Sequence, residues 1–432
     1  MSGEPRRVSG ARPDRWPCFG VMALAVAAMG ILGGIALAFF YAPTLEEAHA
    51  SVAALGGRLL RSSHHWCGTL ALVLCALHGL RLFWHGCHRP PRHLLWLCGV
   101  GIFLTLLGFA YTGYLLAGDE RAVTGMEVMA GIAGSIPLLG AHLRAWILGG
   151  DVVSSATLVR LYAVHVHLLP ILLVAFTGGF LLLRARLGPA TRHDERAPPA
   201  PEAREPSLAR DAYAAIAACA AALLLGLLFP PALGPAPDPS FATAPDARPE
   251  WFFLWINQLL RDWPGGAFLP AVVVPSVVLA AVALLPWIGK GRSPHLRKFE
   301  VFAVAALAVW MWHLTYKALG QESAEAQSPT VPAGMEGGDW EERAQVVMLK
   351  FKCAGCHRID GDEGGGESGP PLDRQGFADL YTELYFRRKV ADPIAFWDAT
   401  GMRYSPARLK PTQEELETLV RWFYAGVPEA PK

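Results

Sequence analysis

Up to about residue 320 the chain alternates long apolar runs with short polar connections. Seven runs stand out, at roughly 18–40, 62–84, 94–117, 158–183, 212–232, 267–288 and 299–318. Each is long enough to cross a bilayer as a helix, which takes about 20 residues. The first follows Arg6, Arg7, Arg12 and Arg15 and precedes Ala48-His-Ala50, as a signal peptide would, but its apolar core is too long for one, and a retained span is expected. Residues 187–210, rich in Pro, Ala and Arg, predict a flexible linker that separates four helices from three. Residues 320–338 read as a tether. Beyond about 339 charge rises and a short helix-loop-helix pattern begins. The predicted fold is therefore all-α: a seven-helix transmembrane bundle, four plus three, followed by a small soluble α-helical domain.

Composition agrees with this division. Of 432 residues 53% are hydrophobic and only 17% charged, as suits a polytopic membrane protein. A net charge of +1 gives no reason to expect nucleic acid. Lys and Arg are unevenly spread among the connections. One set carries Arg6, Arg7, Arg12 and Arg15; Arg89 and Arg92; Arg184 to Arg210; and Lys290 to Lys298. The alternate set is acidic, with Glu46, Glu47, Asp119, Glu120, Glu127, Asp151, Asp238, Asp246 and Glu250. The positive-inside rule places the first set and the N-terminus in the cytoplasm. Seven crossings then deliver the C-terminus outside.

The C-terminal region supplies an independent check. Cys353-Ala-Gly-Cys356-His357 is a C-x-x-C-H motif, the attachment site of a c-type haem: both thiols bond the haem vinyl groups and the histidine ligates iron. Zinc would need two ligands beyond the two cysteines, and no Cys or His follows His357. Covalent haem attachment takes place outside the cytoplasm, so the motif and the charge pattern agree. The other six cysteines (Cys18, Cys67, Cys75, Cys87, Cys98, Cys219) lie in or beside apolar runs and form no disulfide framework.

Histidines at membrane depth are costly and point to function. On the second run His64 and His78 stand 14 residues apart. That is about 40° short of four full helical turns and about 21 Å along the axis, so both leave nearly one face, one near each membrane surface. The fourth run supplies His165 at the depth of His64. Facing histidines from two bundle helices make a bis-imidazole haem site. A lone core histidine would instead bond the backbone, but matched depth favours ligation. His65 and His167 are expected to be structural, and His85, His88 and His93, in a connection, to be solvated.

With these residues in view the chain resembles cytochrome b of the bc-type quinol-oxidising complexes, in the branch where it is split into a four-helix protein and a three-helix subunit IV. The likeness covers about residues 15–320. It rests on Arg61-Ser-Ser-His64-His-Trp66 and Leu77-His78-Gly-Leu-Arg81, on Thr112-Gly113-Tyr114, and on Arg160-Leu-Tyr-Ala-Val-His165 with Pro170. In the second half it rests on Pro239-Ser-Phe-Ala-Thr-Ala and Pro249-Glu250-Trp251-Phe252. The resemblance implies a four-helix haem-binding domain over 1–190 and a subunit IV-like domain over 191–320. A linker over 321–338 and a periplasmic monohaem cytochrome c domain over 339–432 follow. It implies Arg61 and Arg81 as cofactor-binding residues, and Glu250 as the acceptor of a quinol proton at an outer site.

Several positions depart from the pattern. The family pairs the second histidine of the ligand helix with one about 15 residues after the first histidine of the fourth helix. Here position 180 is Phe, and no His occurs from 168 to 192. The inner haem is then five-coordinate, differently ligated or absent. The expected P-W-D reads Ala117-Gly118-Asp119, and P-E-W-Y has become P-E-W-F, with one hydroxyl fewer. Cys18 precedes Pro43 by the spacing that, in the split branch, marks a cysteine bearing an extra covalent haem; a structural cysteine is the alternative. Glu250 also has a physical case of its own. Among Trp251, Phe252, Phe253 and Trp255, a carboxyl in a partly dry setting is expected to exchange protons with a hydroxyl-bearing ligand.

The C-terminal segment resembles a small class I cytochrome c. A helix over 339–352 leads into the haem motif, Gly369-Pro370-Pro371-Leu372 forms the loop after it, and 411–424 forms the closing helix. Met402 is the only Met after His357 and the candidate sixth ligand, with Tyr404 and Trp422 as packing residues. The expectation is an inner (plasma) membrane cytochrome b/c fusion that oxidises quinol, binding one haem b with a second in doubt, and one covalent haem c. A separate iron–sulfur protein and a downstream electron acceptor are expected partners, in a homodimer. The rival reading is a b/c relay without quinol turnover.

Overall fold

The structure, a computed structural model, describes residues 18–54, 58–150, 153–187, 205–234, 236–237, 248–263, 266–287, 294–320, 343–344, 346–348 and 413–424. Every regular element among them is helical. Helix α1 (Phe19–Ala38) is apolar all round, as a helix meeting both lipid and neighbours must be. The short α2 (Ala48–Ala54) follows, then α3 (Arg58–Trp84), which ends where Gly86 takes φ 69°. Helix α4 (His93–Leu115) runs back. Two short helices, α5 (Glu120–Gly134) and α6 (Gly140–Leu148), cap that end of the bundle. Asp119 caps α5 by accepting from the Ala122 N–H at 2.8 Å, and its other carboxylate oxygen accepts from Gly234 N–H at 2.9 Å.

The next span starts as α7 (Ser155–Ala163), widens into a π-helical turn at Val164–Leu168, and continues as α8 (Leu169–Leu187). The widening has a local cause. Pro170 has no N–H to give Val166, and its ring would strike that carbonyl. The turn opens by one residue and Leu169 donates to Val164 instead. The same device recurs in the second half, where Leu269–Val273 is π-helical, Val274 donates to Leu269, and Pro275 stands at the same offset.

Helix α9 (Glu205–Leu228) opens the second half yet packs against α1 and α3, burying Ala218 and Ala222 with Ala23, Val26, Cys67 and Ala71. The approach to α3 is so close that a Cβ on Gly226 would lie 2.8 Å from the Ser63 nitrogen. Past α9, a 3₁₀ turn (Trp251–Phe253) leads into α10 (Leu254–Asp262). Then come α11 (Val274–Leu284) and α12 (Pro294–Gly320), whose Leu314 and Met311 pack on Trp255 and Leu259 of α10. The two halves are tied by Arg89, whose Nη2 binds both oxygens of buried Glu300 at 3.2 and 3.0 Å.

Among the described residues six helices are long and apolar enough to cross a membrane: Phe19–Ala38, Leu59–Trp84, His93–Leu115, Ser155–Leu187, Leu208–Leu228 and Lys298–Gly320. The seventh run expected from sequence, 267–288, is helical over Leu269–Leu284 but shorter than the others. Large apolar side chains such as Ile171, Val174, Leu182, Leu227 and Phe302 point outward, as lipid-facing surfaces require. In the C-terminal region α13 (Gln413–Tyr424) falls within the predicted closing helix and buries Leu416, Leu419, Val420, Trp422 and Phe423. Helical residues at 343–344 and 346–348 fall within the predicted first helix. Cys353, Cys356, His357, Met402 and Tyr404 lie outside the described residues.

Candidate functional site

Helix α3 carries His64, and the π-helical turn before α8 carries His165. Their ring centroids are 6.1 Å apart with planes at 64°. Each ring has its Nδ1 engaged. His64 Nδ1 lies 2.8 Å from the Gly30 carbonyl, which can only accept, so Nδ1 carries the proton. His165 Nδ1 lies 2.7 Å from Thr112 Oγ1, whose one proton goes to the Gly108 carbonyl at 2.7 Å, so here too Nδ1 donates. Both Nε2 lone pairs are left for a metal, and both rings are oriented by a second partner, as ligating histidines are.

The spacing fits a shared iron. A metal–imidazole bond of about 2.0–2.1 Å, with about 1 Å more to the ring centre, puts two imidazoles on one metal on the order of 6 Å apart between centroids. Glycines clear the space around them. A Cβ on Gly34 of α1 would lie 2.9 Å from His64, and one on Gly113 of α4 would lie 3.2 Å from His165. Phe109 meets His165 edge-on at 5.2 Å. The residues present fit a bis-imidazole haem. Among the described residues no group of three or more His, Cys, Asp or Glu is placed to hold a bare metal ion.

The other end of the bundle repeats part of this. His78 is clasped by α1, where a Cβ on Gly20 would sit 3.1 Å from its ring. The ring facing it is Phe180, at 6.5 Å and 71°. His78 Nδ1 is buried with no hydrogen-bond partner among the described residues. Arg81 and Arg184 lie within electrostatic reach of it. Among the described residues the ring opposite His78 is a phenyl, not a second imidazole.

Glu250 stands just before the turn into α10, and its Oε1 pairs with Arg121 Nη2 of α5 at 3.0 Å. The guanidinium also lies over the Tyr114 ring, 5.9 Å from its centroid. Around the pair run edge-to-face contacts from Tyr114 to Tyr111 (5.5 Å), Tyr111 to Phe253 (5.0 Å) and Phe253 to Phe252 (5.0 Å). His65 lies within electrostatic reach of Glu250, Arg61 and Arg121. Helix α4 is the wall between the two sites. Its Phe109 and Thr112 touch His165, while on another face Tyr111 touches Phe253 and Tyr114 lies under the Arg121 guanidinium that pairs with Glu250. Arg121 is a site residue that sequence reasoning missed. It lies 129 positions from Glu250 in an ordinary amphipathic helix, with no local signal to mark it.

The remaining candidates scatter. Arg61 hydrogen-bonds the Pro231 carbonyl, and Trp66 donates to the Phe229 carbonyl at 2.8 Å, so both close the C-terminal end of α9. Cys18 precedes α1 and its thiol donates to Asp211 at 2.5 Å. Burial, then the hydrogen bond and charge of Asp211, push the thiol pKa up. His88 does not match the expectation of a solvated side chain. It is 1% exposed, between Phe83 and Trp96 at 5.3 and 5.4 Å, because the connection folds back under α4. The six described cysteines are all free.

Comparison with known proteins gives the same picture at family level. The family model described as cytochrome b (N-terminal)/b6/petB matches residues 69–238, and that described as cytochrome b (C-terminal)/b6/petD matches 237–333. The chain is 35% identical over 177 residues to the menaquinol:cytochrome c reductase cytochrome b subunit of Geobacillus thermodenitrificans, covering 40% of this chain and 79% of that one. It is 29% identical over 328 residues to the cytochrome bc complex cytochrome b subunit of Chlorobaculum thiosulfatiphilum, covering 71% and 74%. A solved chain titled hyperthermophilic respiratory Complex III shares the fold, with TM-score 0.60 and 24% identity over 70% of this chain and 83% of that one. Together with the apolar helices, these relatives indicate a multi-pass membrane protein.

Proposed function

Because the chain belongs to the cytochrome b/b6 family, we propose that it is the cytochrome b subunit of a quinol-oxidising complex of the menaquinol:cytochrome c reductase kind, with a cytochrome c domain on the same polypeptide. The observation that carries the reading is the His64–His165 pair, 6.1 Å apart with both Nδ1 atoms engaged, sharing α4 with the Glu250 cluster. A haem bound between the two imidazoles supplies a one-electron acceptor close to the quinol. Everything else falls to side chains. Oxidation of a quinol to a quinone releases two protons and two electrons, so a base must stand at the quinol hydroxyl. Glu250 is that base, held by Arg121 beside an aromatic cluster of Tyr111, Tyr114 and Phe253.

In this reading the second electron leaves by a separate iron–sulfur protein and reaches the C-terminal domain. There Cys353 and Cys356 would hold a haem covalently, and His357 and Met402 would ligate its iron. The N-terminus is cytoplasmic and this domain lies outside the plasma membrane. Cys18 is the proposed anchor of an extra covalent haem, and Arg81 contributes a cation for haem carboxylates. A homodimer within the complex completes the assembly.

A second reading, a b/c relay without quinol turnover, is favoured by one observation, the Phe180 ring opposite His78. Quinol turnover by the purified complex separates the two. Glu250→Gln is expected to slow quinol oxidation roughly 10²-fold or more while the haem spectra stay unchanged. Unaltered turnover removes Glu250 from the mechanism, and insensitivity of the native complex to quinol analogues favours the relay.

A further inference from the structure

The first turn of α5 grips the connection between α9 and α10 at two places. Arg121, the second residue of the helix, pairs with Glu250 at 3.0 Å near the end of that connection. Asp119, the N-cap, reaches a point near its start. There Oδ2 accepts from the Gly234 N–H at 2.9 Å, while Oδ1 accepts from the Ala122 N–H at 2.8 Å. Asp119 is buried, and a Cβ on Gly234 would lie 2.8 Å from its Oδ2, so the glycine is what lets the two segments approach.

Two further elements hold the same stretch. Trp66 and Arg61 of α3 donate to the Phe229 and Pro231 carbonyls. His49 of α2 donates from Nε2 to the Gly234 carbonyl at 2.9 Å, since a carbonyl can only accept. Gly234 is therefore fixed at both of its polar atoms. Helix α2 is itself packed on the turn before α5, where a Cβ on Gly118 (φ 65°) would lie 2.8 Å from the Ala48 Cβ. Arg61 also lies within electrostatic reach of Asp119 and gives the buried carboxylate a cation. One carboxylate thus orients both the helix that carries Arg121 and the segment that leads to Glu250, with one oxygen for each.

We propose that Asp119 is a positioning residue for quinol oxidation, acting through the Glu250–Arg121 pair rather than on the quinol. The proposal rests on the function proposed above and deepens it by naming what holds the proton acceptor and its cation in register. An amide at 119 keeps the size of the side chain but offers one acceptor oxygen and turns an NH₂ toward the other N–H, so one of the two contacts is lost.

The test uses the purified full-length protein in its complex, with quinol turnover, the b spectrum and the thermal midpoint read together. Asp119→Asn is expected to lower kcat about tenfold, as small displacements of catalytic groups do, with KM changed less than about twofold and the b spectrum intact. Gly234→Ala, which leaves the cap residue of α5 in place, is expected to do the same by pushing the Asp119 carboxylate off Gly234. Because Asp119 acts through Arg121, adding Asp119→Asn to Arg121→Met is expected to cost less than about threefold more. Full multiplication of the two losses overturns the proposal. Normal kcat in either single variant overturns it as well, even if the thermal midpoint falls, since the contacts then serve stability alone. Loss of the b spectrum in both single variants overturns it too, by assigning Asp119 to folding. A native complex that does not oxidise quinol would overturn the proposed function itself, and this proposal with it.

Discussion

At one end of the helical bundle His64 faces a second imidazole, and every polar atom of the pair is either hydrogen-bonded or free to ligate. At the other end His78, on the same helix, faces the phenyl ring of Phe180 and has a buried nitrogen with no partner among the described residues. Helices α1 and α3 contribute the same residue types at both ends, so they do not explain the difference. One side chain on α8 does. A bundle of this kind sets where an iron can sit, through glycine clearances and helix spacing, whereas the iron's coordination number is set residue by residue. The ends can therefore diverge in chemistry without any change of fold.

Variants that treat the two ends separately would break this comparison if it is wrong. The largest effect is expected from exchanging the ligands themselves. His165→Leu should abolish the low-spin b spectrum, and His78→Leu should leave it in place. Loss of that spectrum in both variants would mean that the two ends are not independent.

Next in size is Thr112→Val. It removes the acceptor that holds His165 Nδ1 and keeps the shape of the side chain. Loss of an orienting partner of this sort typically costs ten- to a hundredfold in metal affinity, so about tenfold weaker retention of the low-spin haem is expected in a haem-transfer assay. Unchanged retention would show that the threonine serves helix packing.

Smaller still is Arg121→Met, which leaves Glu250 without its cation. Quinol oxidation is expected to fall about tenfold with the b spectrum unchanged. A partly exposed ion pair by itself contributes only about 0–1 kcal/mol to stability, so the thermal midpoint should hardly move. A variant that unfolds early yet turns over normally would make the pair a structural clip.

Much of this was legible beforehand, and the reason is periodicity. Apolar runs, charge asymmetry and the 14-residue interval between His64 and His78 are local patterns, and the fixed rise and turn of a helix convert them into depth and direction. Phe180 was likewise marked as a departure, although its contact with His78 could not be seen. His88 was misread because nothing local tells that the connection between α3 and α4 tucks under Trp96. Arg121 was passed over because its partner is 129 residues away.

The chain's own pattern of residues thus determined the long apolar helices, the 14-residue interval between His64 and His78 and a C-x-x-C-H motif near the C-terminus. Each follows from neighbours along the backbone, where geometry is nearly rigid. Only the tertiary structure decided which rings face each other, which nitrogen of each histidine carries its proton and which cation holds Glu250. Those depend on how separate helices pack, and a one-residue widening at a proline is enough to change what meets across the bundle.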